Sequence, residues 1–322
     1  MDEKNLSSGQ SPTPYDDVFR TMLIDCKKLV IPVINEVFGE NYTGDEDVVF
    51  RQNEHFKNQQ DGMLEKIITD SSFQIVGKTT KKYLFECQST EDNSMLIRIF
   101  EYATQIALED DRSLVANKLI VTIPHSALLL LRSSKNSPDS LVIEIQTPGG
   151  DVEFSVPVMK VRNYTIEDVF EKDLFFLIPF YIFVYESQFS KMEEQGEGLN
   201  ELKDDYRRIF DLLDEATRNG EITAYTRKTI FEMSNKVLEK IAVKYDKVME
   251  GVKSVMGGRV LEHEAKDILN EGRAEGRAEG EEKGKKAMAL SLYNQGVALD
   301  VIATAAGVAV AVVKKWLGLQ PA

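Results

Sequence analysis

The sequence predicts an α/β protein, with a mixed central sheet flanked by helices and a helical C-terminal region after it. Three observations lead there. A hairpin pattern over residues 73–87 is followed by a helical pattern over residues 93–109. Strand-like runs then follow at 118–123, 141–145 and 154–161. From Ile166 onward the apolar residues recur at helical spacing.

Taken in order, residues 1–12 (Ser, Gly, Gln and Pro among charges) read as a disordered leader. Residues 16–38 read as helical, with Phe19, Met22, Leu23 and Leu29 on one stripe. Pro32 interrupts that stripe and predicts a kink or two helices. Gly39 is the natural stop. Residues 40–61 are polar and read as loop, apart from a short strand at 48–50.

The hairpin consists of apolar runs at 73–76 and 83–87, separated by the turn-like Gly77-Lys78-Thr79-Thr80. Asp70 lies just before the first run. Glu86 and Gln88 stand two apart on the second, so a strand turns both to one face. Cys87 then faces the opposite side and reads as core rather than nucleophile. Arg98 and Tyr102, four apart, share a helix face with Met95, Ile99, Ala103 and Ile106. An Asp, an E-x-Q pair and an Arg thus converge near one end of a small sheet. Two carboxylates there suit a hard divalent cation such as magnesium, which takes oxygen ligands. On spacing alone, a solvated acidic face fits the same residues.

Beyond the hairpin, Pro148-Gly149-Gly150 marks a turn between the last two strands. Residues 199–216 and 227–256 are amphipathic and joined through Gly220. Their mixed charges suit a solvated helical bundle acting as an arm, a dimer surface or a lid. Residues 271–286, EGRAEGRAEGEEKGKK, carry five acidic and five basic residues and read as a neutral helical-to-flexible linker. Residues 287–322 are apolar and divided by Gly296 and Gly307 into three short helical pieces. Ile302, Ala303, Gly307, Val312 and Trp316 sit where a helix-turn-helix unit buries residues. The third piece offers mainly Ala and Val, with Lys314 and Lys315 near its end, so packing or assembly suits it better than base reading.

Composition removes several alternatives. The net charge of −14 argues against a dedicated nucleic-acid coat protein. Lys57, Lys78, Lys81, Lys82, Arg20 and Arg98 nonetheless cluster in sequence around the hairpin. Two cysteines, Cys26 and Cys87, give no disulfide framework, and a reducing, cytoplasmic setting is expected. The longest apolar run, 174–185, contains Pro179, is too short to cross a bilayer, and reads as a buried helix or strand pair. His55, His125 and His263 are scattered without ligand spacing. No Gly-x-Ser-x-Gly elbow or phosphate-binding P-loop is present.

The stretch Thr13-Pro14-Tyr15-Asp16-Asp17-Val18-Phe19-Arg20-Thr21-Met22-Leu23 resembles the opening motif of the recombination-promoting nuclease and putative transposase family, part of the PD-(D/E)XK nuclease superfamily. Asp16 falls on that motif's Asp, and Phe19-Arg20 on its Phe-Lys/Arg pair. Asp70 is similar to the family's metal-binding Asp, and Tyr83-Leu84-Phe85-Glu86-Cys87-Gln88-Ser89 to its E-x-Q strand. Arg98 and Tyr102 resemble the Arg and Tyr of its next helix. The resemblance covers residues 13–165. Gln88 stands where the superfamily's name has Lys, although this family often carries Gln there.

The resemblance implies a restriction-endonuclease-like PD-(D/E)XK core over 13–165, then a helical region (166–270), the linker (271–286) and the small tail. It implies a magnesium-dependent endonuclease acting on DNA, with manganese as the substitute ion. Asp70, Glu86 and the Cys87 carbonyl would hold the metal. Gln88 would orient the attacking water, and Arg98 would hold a phosphate oxygen or fix the carboxylates. Asp16, Glu36 and Tyr102 are additional candidates. Expected partners are DNA and, through the helical region, further copies of the chain; no membrane is expected. Two alternatives stay open: a non-catalytic DNA-binding or assembly protein with the same fold, and a transposase that joins strands.

Overall fold

The computed structural model describes residues 14–50, 54–58, 64–68, 71–77, 79–90, 94–110, 113–115, 117–256, 284–289, 291–293 and 296–317. The expected leader, Asp70 and most of the expected linker lie outside these residues. The chain divides into two compact units, Met1–Gly258 and Arg259–Ala322.

The first unit opens with α1 (Pro14–Asp25) and α2 (Val30–Phe38), joined by one 3-10 turn, Lys27–Leu29. The break falls at Cys26, not at Pro32. Pro32 sits in the first turn of α2, where a backbone N–H has no acceptor within the helix, so its missing donor costs nothing. Gly39 ends α2 with φ 63°, a conformation that glycine takes without strain.

Ten strands follow. They are β1 (Asp47–Phe50), β2 (Glu54–Asn58), β3 (Leu64–Ile68), β4 (Ser72–Val76), β5 (Thr80–Gln88), β6 (Ser113–Val115), β7 (Lys118–Ile120), β8 (His125–Leu130), β9 (Ser140–Ile145) and β10 (Val152–Lys160). Six make a mixed sheet in the order β1-β4-β5-β8-β10-β9. β4 and β5 are the hairpin, antiparallel. β8 lies parallel to both β5 and β10. β2 with β3, and β6 with β7, form separate antiparallel pairs. β2 falls inside the stretch expected as loop, because its pairing with β3 leaves no trace in its polar composition.

The two faces of the sheet bury different cores. Along β5, Tyr83, Phe85 and Cys87 enter one cluster and Leu84 the other. On the second face lies α3 (Met95–Asp110), which contributes Met95, Ile99, Ala103 and Ile106 beside Leu128, Leu130 and Val156. On the first face, the rings of Phe19 and Phe85 stand 5.3 Å apart, and Phe176 lies edge-on to Phe19 at 5.5 Å and tilted against Phe85 at 6.2 Å.

Phe176 belongs to a ten-residue 3-10 run, Phe175–Val184, buried from Phe175 through Phe183. Against it pack α4 (Ile166–Glu171) and α7 (Ala224–Ile241), and α5 (Phe189–Gln195), α6 (Leu199–Asn219) and α8 (Asp246–Val255) add residues to the same apolar cluster. One apolar cluster spans α1, the sheet, the 3-10 run and residues of α6 to α8 such as Leu213, Leu238 and Val252. Residues 227–256 are two helices rather than one, parted by a turn closed by Tyr245 N donating to the Ala242 carbonyl at 2.9 Å.

The second unit has helical residues at 284–289 and 291–293, then α9 (Leu299–Ala306) and α10 (Val310–Trp316). Ala289, Ile302, Ala303 and Val313 form its core, with Leu292, Val308 and Trp316 packed against them. Val313 takes the buried place expected of Val312, which is exposed. The start of α10 at Val310, set by the left-handed Gly307, turns residues 313 and 316 inward. Among the described residues, no helix is long and apolar enough to cross a membrane.

Candidate functional site

The candidate site forms where β5 loses a neighbour. The register with β4 ends at Ser72 opposite Leu84, and Phe85 N still donates to the Ser71 carbonyl at 3.0 Å. Beyond that point β5 continues beside β8, with Glu86 opposite Leu128 and Gln88 opposite Leu130. The Gln88 carbonyl accepts from Leu131 N at 2.9 Å, so it points toward β8. Backbone groups alternate along a strand, so the Cys87 carbonyl points the other way, to the side where β4 has ended.

Glu86 and Gln88 share the face that α3 covers. Arg98, in the first turn of α3, donates from Nη2 to Gln88 Oε1 at 3.1 Å. Ser71 Oγ donates to Glu86 Oε1. Burial pushes the Glu86 carboxyl up from its ordinary pKa. The Ser71 bond and the Arg98 charge pull it down, while the negative charge of Asp16 on α1 pushes it up again. Ser71, Glu86, Gln88 and Arg98 therefore come together from β5, α3 and the flank of β4, with Asp16 of α1 near enough for its charge to act on Glu86. Burial, then Asp16 and Glu86, also raises the Cys87 thiol well above its ordinary range, so it stays protonated in the core.

The other candidates stand in different surroundings. Tyr102 is half-buried and packs against the α3 core. Glu36 accepts from Lys172 Nζ at 2.7 Å. Lys81 is paired with Glu40 at 2.6 Å. Asp70, Lys78 and the side chain of Lys57 lie outside what the structure describes. Among the described residues, no group of three or more His, Cys, Asp or Glu side chains is placed to hold a metal ion. Glu86 itself, a hard oxygen donor crowded by a second negative charge, is suited to one position of a magnesium site.

Two features escaped the sequence reading. Ser71 completes the surroundings of Glu86, and its only signal was its place beside Asp70 at the foot of β4. Arg132 lies two residues past β8 and donates its backbone N–H to the Ser89 carbonyl at 3.2 Å. Its only signal was a charge closing the apolar run that ends at Leu131.

The fold and site define an α/β protein with a mixed six-stranded sheet and a carboxylate, amide and guanidinium group at one strand end. Comparison with protein-family models, curated proteins and solved structures finds no match.

Proposed function

We propose that this chain is a divalent-metal-dependent endonuclease with a PD-(D/E)XK core that hydrolyses phosphodiester bonds of DNA, in recombination or within a mobile element. One observation carries the proposal: the half-buried carboxyl of Glu86 accepts a hydrogen bond from Ser71 where β5 is released by β4, within reach of the charges of Arg98 and Asp16. Asp70, Glu86 and the Cys87 carbonyl would hold magnesium, or manganese in its place. When bound, the ion supplies an acidified water and offsets charge on the phosphate.

The chain's own residues do the rest. Ser71 orients the Glu86 carboxylate. Arg98 fixes the Gln88 amide and sets positive charge beside Glu86, where a phosphate oxygen gains charge during attack. Gln88 orients water by hydrogen bonding alone, since an amide takes no proton at neutral pH.

The test is incubation with supercoiled plasmid, with and without magnesium. Nicked or linear product is expected from the wild type and none from Glu86→Gln. Equal nicking by both would remove Glu86 from the chemistry. A second reading, a DNA-binding protein without turnover, is favoured by one observation: the Gln88 oxygen is tied to Arg98 in a place the superfamily gives to lysine. Plasmid binding without nicking would make it the better account, and joined strands would indicate a transposase.

A further inference from the structure

The chain ends of β8 and β10 enclose a hollow that the candidate site does not use. Its volume is about 480 Å³, and Arg132, Ser133, Arg162, Phe183, Glu186 and Ser187 line it. Arg132 is held rigidly. Its Nε donates to Glu186 Oε2 at 2.6 Å and its Nη2 to Glu186 Oε1 at 2.8 Å. The same guanidinium lies over the Phe183 ring at 4.8 Å and the Tyr15 ring at 5.6 Å. Arg162 Nη1 donates to the Ser133 carbonyl at 2.8 Å, with the rest of the side chain exposed. The Ser133 hydroxyl is shielded from solvent and makes no hydrogen bond among the described residues.

These groups set up a local excess of one positive charge, two guanidiniums against one carboxylate, in a chain of net charge −14. A guanidinium offers planar donors that match a phosphate. A buried hydroxyl without a partner is a cost that a bound acceptor removes. Leu131, Phe183 and Val184 add an apolar wall, suited to a sugar or base rather than to a bare ion. The hollow also adjoins the end of β5, because Leu131 N and Arg132 N donate to the carbonyls of Gln88 and Ser89.

We propose that this hollow binds a phosphodiester of a nucleic-acid strand, displaced along the strand from the bond presented to Glu86. The assignment rests on the nuclease reading and adds a positioning site to it: Arg162 and Ser133 grip the strand, and Arg132, braced by Glu186, supplies fixed charge.

The experiment uses the full chain in chelator, so that no cleavage occurs. Binding of a fluorescein-labelled oligonucleotide, single-stranded and duplex, is followed by anisotropy across a salt series. Inorganic phosphate is titrated separately and followed by ³¹P line broadening. Arg162→Gln keeps a donor for the Ser133 carbonyl and removes the charge; Ser133→Ala removes the hydroxyl. Melting temperatures confirm that each variant folds. The expected result for Arg162→Gln is an affinity about three- to tenfold weaker and a salt slope lower by about one. Ser133→Ala is expected to weaken binding without changing the slope. Wild-type affinity and slope in both variants would overturn the proposal and leave the nuclease reading standing. Phosphate binding that Arg162→Gln abolishes, with no oligonucleotide binding by the wild type, would overturn the nucleic-acid assignment and the nuclease reading together. Binding of neither probe would overturn both and remove the anion site as well.

Discussion

The Nη2 of Arg98 donates to the side-chain oxygen of Gln88 at 3.1 Å, joining α3 to the end of β5. The bond fixes which way the amide faces. Its oxygen meets the guanidinium, so its NH₂ group is turned away as a donor. Gln88→Lys removes the acceptor and sets an ammonium beside a guanidinium in a buried place. We expect it to lower stability by about 1–3 kcal/mol, read as a fall in urea midpoint at unchanged slope. A midpoint equal to wild type would show that the bond does not hold the two elements together.

Glu86 predicts a pH dependence. Burial and Asp16 place its folded-state pKa above the ordinary value. The folded protein then binds that proton more tightly than the unfolded chain does. Without metal, stability should fall as pH rises from the unfolded value of about 4.3 through the folded-state value. Glu86→Gln should remove that fall and melt no lower than wild type at neutral pH. Melting temperatures from pH 4 to 8 in chelator measure this; a lower neutral melting point for the variant would mean a structural ion pair instead. Added magnesium should raise the wild-type melting temperature by mass action and leave the variant's unchanged.

Ser71→Ala deletes the donor to Glu86 Oε1. Since that bond lowers the carboxyl's pKa, its loss should raise the pKa further. The acidic limb of the nicking profile should move to higher pH, and stability should fall by about 1–3 kcal/mol. An unmoved limb would separate Ser71 from the reacting group.

The division at Gly258 predicts two independent transitions. Residues 1–258 alone should be soluble and melt cooperatively. Trp316, the chain's single tryptophan, reports on the second unit only. Ile302→Ala should destabilise that unit by about 2–5 kcal/mol in Trp316 fluorescence and leave the far-ultraviolet transition of the larger unit in place. One shared transition would mean that the two units depend on each other.

Much of the fold was legible from residue type and spacing. Tyr83 to Cys87 reads as a strand from its apolar, aromatic-rich run beside a turn, although all but Glu86 are buried, and Met95, Ile99, Ala103 and Ile106 recur as a helix stripe. β8 was not legible: Ala127 and Leu129 face one core while Leu128 and Leu130 face the other, so its run shows no period. The same invisibility hid the strand that leads toward Arg132. Glu86, Gln88 and Arg98 could be gathered from spacing, because two periods suffice to place them. Ser71 and Asp16 could not be set around Glu86 in that way, since their approach depends on how α1 and the start of β4 pack. The Glu36–Lys172 pair spans 136 residues of sequence, and no local pattern announces such a partner.

The 3-10 run from Phe175 to Val184 has a consequence for how the molecule tolerates change. Three residues per turn give such a rod three rows of side chains, and here each row is dry. An ordinary surface helix is clocked by its wet side; this one has none to hold its rotation. Only the shapes of its neighbours fix that angle. Polar substitutions aside, its vulnerability is therefore to volume: a trimmed Phe176 or Phe180 lets the rod turn, and Phe176 touches Phe85. Phe85 is the last residue of β5 before Glu86, so a methylene lost on the far side of the core is felt, one residue later, as the aim of a carboxylate.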